Sequence, residues 1–434
     1  MVDKRVFILG AGLTGLSAAW HLKRRGIKPE IFEKEGSAGG LCRSKKAGRF
    51  IFDYDGHLLH FRNDYTLKLV KRLLKGNLKS HKRSAWISNF GVFSRYPFQA
   101  HLHALPKPVA NECLRGFLEA QASGGKAVRS GINFLDWINS SFGKGIARHF
   151  MIPYNRKFWT VPLNRMSCSW SGKFIPCIGY ADVVKGFSSD TGKNFGYNSI
   201  FWYPEKGGIS RLPLAFEKEI GRIGKNCDID KIDLRNKEVE IKGKGKKKFD
   251  VLIMTAPLPE LLKIVIPLPP DVEKALKKLR WNSIFNLNIG MEGECQKGKH
   301  WIYFPHKNTV FFRAGFFHNF SKNLAPRGKS SLYAEISYSA DKPLDKKEAV
   351  RKALGGLKEA GVITGKNKVL TLDTNDIKYG YPIYDRNYQK ATSTIKNFLS
   401  LHGIIACGRY GSWQYMSMED AILEGKKVAE GISL

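Results

Sequence analysis

Cysteine is scarce in this chain, with seven in 434 residues and no two in a CxxC spacing. That excludes a disulfide-stapled scaffold and a zinc ribbon, and suits a reducing compartment. Long apolar runs are missing as well. The longest, Val251 to Pro270, is interrupted by five prolines, Glu260 and Lys263, so it cannot span a bilayer as a helix. No signal peptide is expected, because the first apolar run, Val6 to Leu9, leads straight into glycine. No repeat of fixed period is present. Acidic residues are few: 38 Asp plus Glu stand against 72 Lys plus Arg, a net charge of +34. Such a surplus attracts anions, whether nucleic acid, an acidic membrane or phosphate-bearing small molecules. Apolar residues (43%) and aromatics (12%) are plentiful enough to exclude general disorder. At roughly 150 residues per domain, the length suggests about three domains.

Periodicity sets out the organisation. Val6 to Leu9 reads as a strand, Leu13 to Arg25 as a helix and Pro29 to Glu33 as a second strand, a βαβ opening. Helical spacing then dominates, with candidates near Asp64 to Leu74, Val109 to Ala122, Asn133 to Phe142 and Lys144 to Tyr154. Runs of strand length follow at Trp301 to Phe304, Val310 to Phe317 and Leu332 to Ser337. A last strand, Gly403 to Cys407, precedes a helix from Met418 to Glu430, so both chain ends should build one unit. The expected fold class is therefore α/β: a Rossmann-like unit from 1–78, 205–275 and 383–434, a helical insertion at 100–180, and a mostly antiparallel sheet from 79–99, 181–204 and 276–382. The one biased tract, Lys242 to Lys248, lies between two strand-like runs and reads as a solvated hairpin turn rather than a polyanion site.

Gly10-Ala11-Gly12-Leu13-Thr14-Gly15 forms GxGxxG between that strand and helix, and Glu33 lies 18 residues beyond Gly15. Gly10 permits the tight turn, Gly12 lets the backbone approach a pyrophosphate, and Gly15 lets the helix pack on the strand. The helix N-terminus faces the phosphates, and Glu33 suits ribose hydroxyls. No second GxGxxG exists, so a nicotinamide cofactor would have no Rossmann site of its own. Gly186 to Lys193 mimics a phosphate loop, but its spacing and the following Asn194 exclude a nucleoside triphosphate site. Ser417, with Asp420 three residues on, reads as an N-cap for the last helix.

Other residues point to a ligand. With a three-residue hairpin loop at 306–308, Tyr303 would pair opposite Phe311, one diagonal step from Arg313 on the same face. A guanidinium beside a phenol suits a pyrophosphate. Pairing of Arg313 with an internal carboxylate, or snorkelling at an edge, is the plainer alternative. Asn155 and Trp159 are four apart and share one face if helical, giving an amide and an aromatic platform, although Trp159 also reads as core. His57 and His60 form HxxH, but no cluster completes a metal site, and none is assigned.

The continuation Glu33-Lys34 to Gly39-Gly40-Leu41 resembles FAD-binding enzymes of the amine oxidase superfamily. Further segments resemble the UDP-galactopyranose mutase family, particularly its eukaryotic form, over nearly the whole chain. They include Asp55 to His60, Tyr96 to Gln99, Pro153 to Asn155 with Trp159, Asn194 to Asn198, Trp301 to Pro305, Phe312 to Ala314, Gly380 to Pro382 and Gly408 to Trp413. The resemblance implies that reduced FAD attacks the anomeric carbon through N5, UDP leaves, the sugar opens and recloses in the other ring size, and UDP returns. It places His57, Arg83, Gly408, Arg409, Ser417 and Met418 with the glycines and Glu33 around the cofactor. Gln99, Asn155, Trp159 and Asn198 would line the nucleotide side. Tyr303, Arg313, Tyr381 and Tyr415 would bind the diphosphate, and His57, Arg313 and Arg409 would take part in the chemistry. NADPH or NADH is implied as a transient reductant.

One departure stands out: after Trp170-Ser171-Gly172 the family pattern has an acidic residue and a diphosphate-binding Arg, where this chain has Lys173 and Phe174. Lys173 would replace that guanidinium as a point charge. The partner implied is a UDP-sugar, with no specific nucleic acid, in a cytoplasmic protein whose basic surface allows peripheral membrane contact and which allows an oligomer. An FAD-dependent amine oxidase or desaturase is the alternative.

Overall fold

The computed structural model describes residues 4–124, 131–196 and 198–433, apart from the side chain of Lys173. Four parallel strands, in the order Ile404–Ala406, Val251–Met254, Val6–Leu9 and Glu30–Phe32, form one sheet. Val6–Leu9 is buried along its whole length, as a strand covered on both faces must be. The expected union of the two chain ends is present: helix Leu13–Arg24 packs on helix Met418–Gly431, where Ser17 Oγ donates to the carbonyl of Ile422 at 2.6 Å. Gly425 makes that contact possible, because a Cβ there would stand 2.5 Å from the Thr14 carbonyl oxygen.

Seven strands form the larger sheet: Val369–Pro382, Trp281–Glu292, Lys329–Tyr338, Arg313–Phe316, Trp301–Tyr303, Ala85–Asn89 and Val92–Arg95. All neighbours are antiparallel except Trp301–Tyr303 beside Ala85–Asn89. Strand Trp281–Glu292 is buried although it carries three asparagines, since Asn286 and Asn288 donate to the carbonyls of Tyr54 and Asp53 at 2.8 and 3.3 Å. Its polar face is thereby tied to strand Phe50–Asp53.

The expected helices at 109–122 and 133–142 appear as Lys107–Ala122 and Phe134–Ile146, with the anticipated break at Gly143 (φ 74°). Beyond it the chain continues as a π-helical turn, Ala147–Met151, and a helix, Ile152–Trp159, so this segment runs past Tyr154 to Trp159. Three expectations need correction. The strand expected at 310–317 is only Arg313–Phe316, because Phe317–Phe320 turns helical. Tyr303 pairs with Arg313 itself, not Phe311: the Phe304 amide donates to the Phe312 carbonyl, and the connection is longer than three residues because buried Phe304 and Phe311 pack together at 4.7 Å. The basic tract is not all turn. Gly245–Lys248 is a strand paired with Glu238–Ile241, which sets Lys246 opposite Glu240 and Lys248 opposite Glu238.

No helix among the described residues is long and apolar enough to cross a membrane.

Candidate active site

One large cavity, about 910 Å³, begins at the glycine turn after Val6–Leu9 and runs to the aromatic helix Ile152–Trp159. The three glycines of the turn have three different neighbourhoods. Gly10 has φ +100°, and a Cβ there would stand 2.6 Å from Thr255 Oγ1. At Gly15 a Cβ would be 2.0 Å from the Gly10 carbonyl oxygen. At Gly12 a Cβ would meet no atom within 4 Å, so that position opens onto the cavity. Helix Leu13–Arg24 starts there with no side-chain cap, leaving its first N–H groups for an anion. Glu33 is held by the Ala11 amide at 2.8 Å and the Glu35 amide at 3.0 Å, and lines the cavity beside Gly39, Gly40 and Leu41.

At the other approach, Ser417 and Asp420 form a reciprocal capping box, and Ser417 and Met418 line the wall. Gly408 (φ +79°) is not on the wall: a Cβ there would stand 2.7 Å from Thr14 Oγ1, so it serves close packing. Arg409 reaches the cavity under an aromatic sleeve. Its guanidinium lies 4.6 Å from the Tyr381 ring and 4.9 Å from that of Tyr415, and donates to the carbonyls of Gly380 and Met416. His57 also lines it, and burial, then Arg409, pushes its imidazole down to about 4. The ring is therefore neutral near pH 7, with Nδ1 donating to the Asp55 carbonyl at 3.2 Å and Nε2 left as an acceptor.

The far wall joins stretches of chain that lie far apart in sequence. Tyr303 lies between Tyr96 (5.1 Å) and Tyr154 (5.3 Å), directly opposite Arg313 in the sheet. Arg313 gives Nε and Nη2 to the two oxygens of Glu335, its neighbour across the next strand. The plainer sequence alternative, an internal carboxylate partner, is thus present, yet Arg313 keeps 20% of its side chain exposed and lines the cavity. Burial raises Glu335 above the ordinary carboxylate range; Arg313 opposes that rise and Asp55 adds to it. Asn155 and Trp159 share one face of their helix and both line the cavity, as do Asn198, Tyr381 and Tyr415. Four lining residues keep a buried donor with no partner among the described residues: Trp159 Nε1, Trp170 Nε1, Trp301 Nε1 and Arg409 Nε. Buried unmet donors suit an electron-rich ligand.

Some expected residues lie elsewhere. Gln99 does not line the cavity; it is 3% exposed and donates to the Pro176 carbonyl at 2.7 Å. Arg83 stands behind the wall, donating to Asn198 Oδ1 and to the Phe195 carbonyl, so it orients Asn198. The side chain of Lys173 lies outside the described residues. Phe174 lines the cavity and packs on Tyr415 at 4.1 Å. Sequence reasoning missed the lining residue Arg43, the wall rings Tyr96, Tyr154 and Phe158, and Glu335, which stands behind Arg313. Arg43, two residues after Gly40-Leu41, bonds the Gly40 carbonyl at 2.7 Å. Glu335 was detectable as a lone acid in the apolar run 332–336. Among the described residues no group of three His, Cys, Asp or Glu could hold a metal ion.

The profile of the flavin containing amine oxidoreductases matches residues 13–433. A crystal structure of reduced UDP-galactopyranose mutase superposes with a TM-score of 0.93 at 25% identity, covering 99% of this chain and 94% of that one. The mitochondrial protoporphyrinogen oxidase of Nicotiana tabacum is 48% identical over 50 residues, which is 12% of this chain and only 10% of that enzyme's length. A zeta-carotene-forming phytoene desaturase of Myxococcus xanthus is 22% identical over 77% of this chain and 72% of its own. The open Gly12 cradle, the uncapped helix start and the fixed Glu33 carboxylate fit FAD. The chain belongs to the flavin-containing amine oxidoreductase family, with the fold of UDP-galactopyranose mutase, and is a flavin-dependent enzyme.

Proposed function

We propose that the protein is a sugar-nucleotide mutase that interconverts the pyranose and furanose forms of UDP-galactose or a related nucleotide sugar. The observation that carries this reading is the pairing of Tyr303 with Arg313 on the wall they share with Asn155 and Trp159, in the same cavity as the flavin cradle. An oxidase of an apolar substrate has no use for a guanidinium and phenols on its substrate wall. Bound in its reduced form, with NADPH or NADH as transient electron donor, the flavin supplies the nucleophile for the anomeric carbon.

The chain's own residues do the rest. Arg313, oriented by Glu335, and the phenols of Tyr303, Tyr381 and Tyr415 hold the diphosphate and stabilise it as it departs and returns. Trp159 and Asn155 orient the nucleotide end, and Asn198, steadied by Arg83, joins them. His57 would offer a neutral Nε2 acceptor in the cavity that holds the flavin, and Arg409, which lines the same cavity, would supply a positive charge to the reacting groups. The aromatic wall excludes water that would otherwise capture the sugar when UDP has left. In this reading the helical segment 100–180 serves as the substrate-binding unit.

An FAD-dependent desaturase or amine oxidase is the second reading, favoured by Phe174 standing on the wall where the family pattern has an arginine, and by the similarity to a phytoene desaturase. Incubation with UDP-galactofuranose and dithionite-reduced flavin tests the first. UDP-galactopyranose is the expected product; no conversion of any UDP-hexose, with net substrate oxidation and peroxide release, would transfer the assignment to the second.

A further inference from the structure

Helix Ile152–Trp159 turns Asn155 and Trp159 toward the cavity, while Lys157 stands two residues from each, about 200° around the helix, and is not among the lining residues. Its side chain is buried, with 8% of the residue exposed. The ammonium gives its three hydrogens to three oxygens of one loop: the Phe304 carbonyl at 2.8 Å, Thr309 Oγ1 at 2.9 Å and the Phe311 carbonyl at 3.1 Å. That loop joins the strands of Tyr303 and Arg313. Phe304 directly follows Tyr303, Phe311 is two residues before Arg313, and the Phe304 amide closes on the Phe312 carbonyl at 2.9 Å. No carboxylate pairs with Lys157 among the described residues, and burial lowers it to about 7. A buried ammonium without a counterion is unfavourable unless its hydrogen bonds are complete, and here all three are.

We propose that Lys157 is a positioning residue that clamps helix Ile152–Trp159 to the loop between the strands of Tyr303 and Arg313, fixing Tyr303 and Arg313 relative to Asn155 and Trp159. The clamp is a property of the fold; its effect on a UDP-sugar rests on the mutase reading. Without the ammonium, two carbonyls and a hydroxyl lose their donor in a dry interior, and the loop must move to water, carrying Tyr303 and Arg313 with it.

Lys157→Met and the milder Thr309→Val test this in the full-length flavin-loaded protein. Hydrogen exchange of 303–313, bound flavin from its visible absorbance, and the Kd for UDP are the readouts. In Lys157→Met, exchange across 303–313 and the Kd for UDP should each rise about tenfold, with flavin content unchanged; Thr309→Val should raise both about threefold. KM for the UDP-sugar should rise more than kcat falls. Exchange and Kd both within about twofold of wild type in both variants would overturn the clamp, as would faster exchange throughout the molecule with loss of flavin in both. If wild-type protein does not bind UDP, the mutase reading fails, and the clamp is then judged on exchange alone: faster exchange confined to 303–313 supports it, unchanged exchange overturns it.

Discussion

The two ends of the cavity are built from different materials. The flavin end is backbone: Gly10, Gly12, Gly15, Gly39 and Gly40 with one carboxylate, mostly within one stretch of chain. The opposite end is side chain, with Tyr96, Trp159, Tyr303, Arg313, Tyr381 and Tyr415 brought together from five segments. A backbone site depends on local conformation and on the absence of Cβ atoms. A side-chain site depends on register and on what stands behind each group, so at one end a single atom closes the site, whereas at the other a partner such as Glu335 decides how much of Arg313 meets the ligand.

The largest effect should come from Gly15→Val, whose Cβ has no space beside the Gly10 carbonyl. It should destabilise the fold by about 3 kcal/mol and abolish yellow flavin absorbance. Near-normal flavin content would break the contrast between the two ends. Next, Glu335→Ala leaves the Arg313 guanidinium inside without its carboxylate, a loss of about 3 kcal/mol in chemical denaturation and a weaker UDP complex. Arg313→Lys keeps the charge but not the fork, and calorimetry should show UDP bound about tenfold more weakly with flavin content intact.

Gly12→Ala sharpens the comparison from the other side. Its Cβ meets no protein atom, so stability should stay within about 0.5 kcal/mol while flavin affinity falls. A smaller effect is expected from pH. Burial lowers His57 and His60 to about 4 from 6.5, so the unfolded chain binds more protons between those values. The contribution of these two rings to stability should therefore decline as pH falls from about 6.5 to about 4, read as the change with pH in the unfolding free-energy difference between wild type and His57→Gln. A mutase rate profile inflecting near 6.5 and lost in His57→Gln would contradict a neutral His57.

Much of the fold was legible because its signals are local: the run Val6–Leu9, the glycine turn, and the cap of helix Met418–Gly431 each sit within a few residues. The 303–313 hairpin was misread by two positions because its length depends on Phe304 and Phe311 entering a core shared with other strands. Gln99 and Arg83 could be named from the sequence but not located, since only packing distinguishes a cavity wall from the layer behind it. Glu335 was overlooked because its partner is adjacent only across a sheet. The tract 242–248 read as a solvated turn, whereas strand pairing sets Lys246 and Lys248 against Glu240 and Glu238.

By itself the sequence determined the glycine spacing, the acid at Glu33, the strand and helix periods and the +34 charge, because these depend on residues near one another in the chain or on simple sums. Only the tertiary structure decided which guanidiniums face the cavity, how Arg313 pairs with Glu335 while keeping part of its side chain on the cavity, and where Lys157 directs its ammonium. Those outcomes depend on burial and on strand register between residues far apart in sequence, and neither is written in any local pattern.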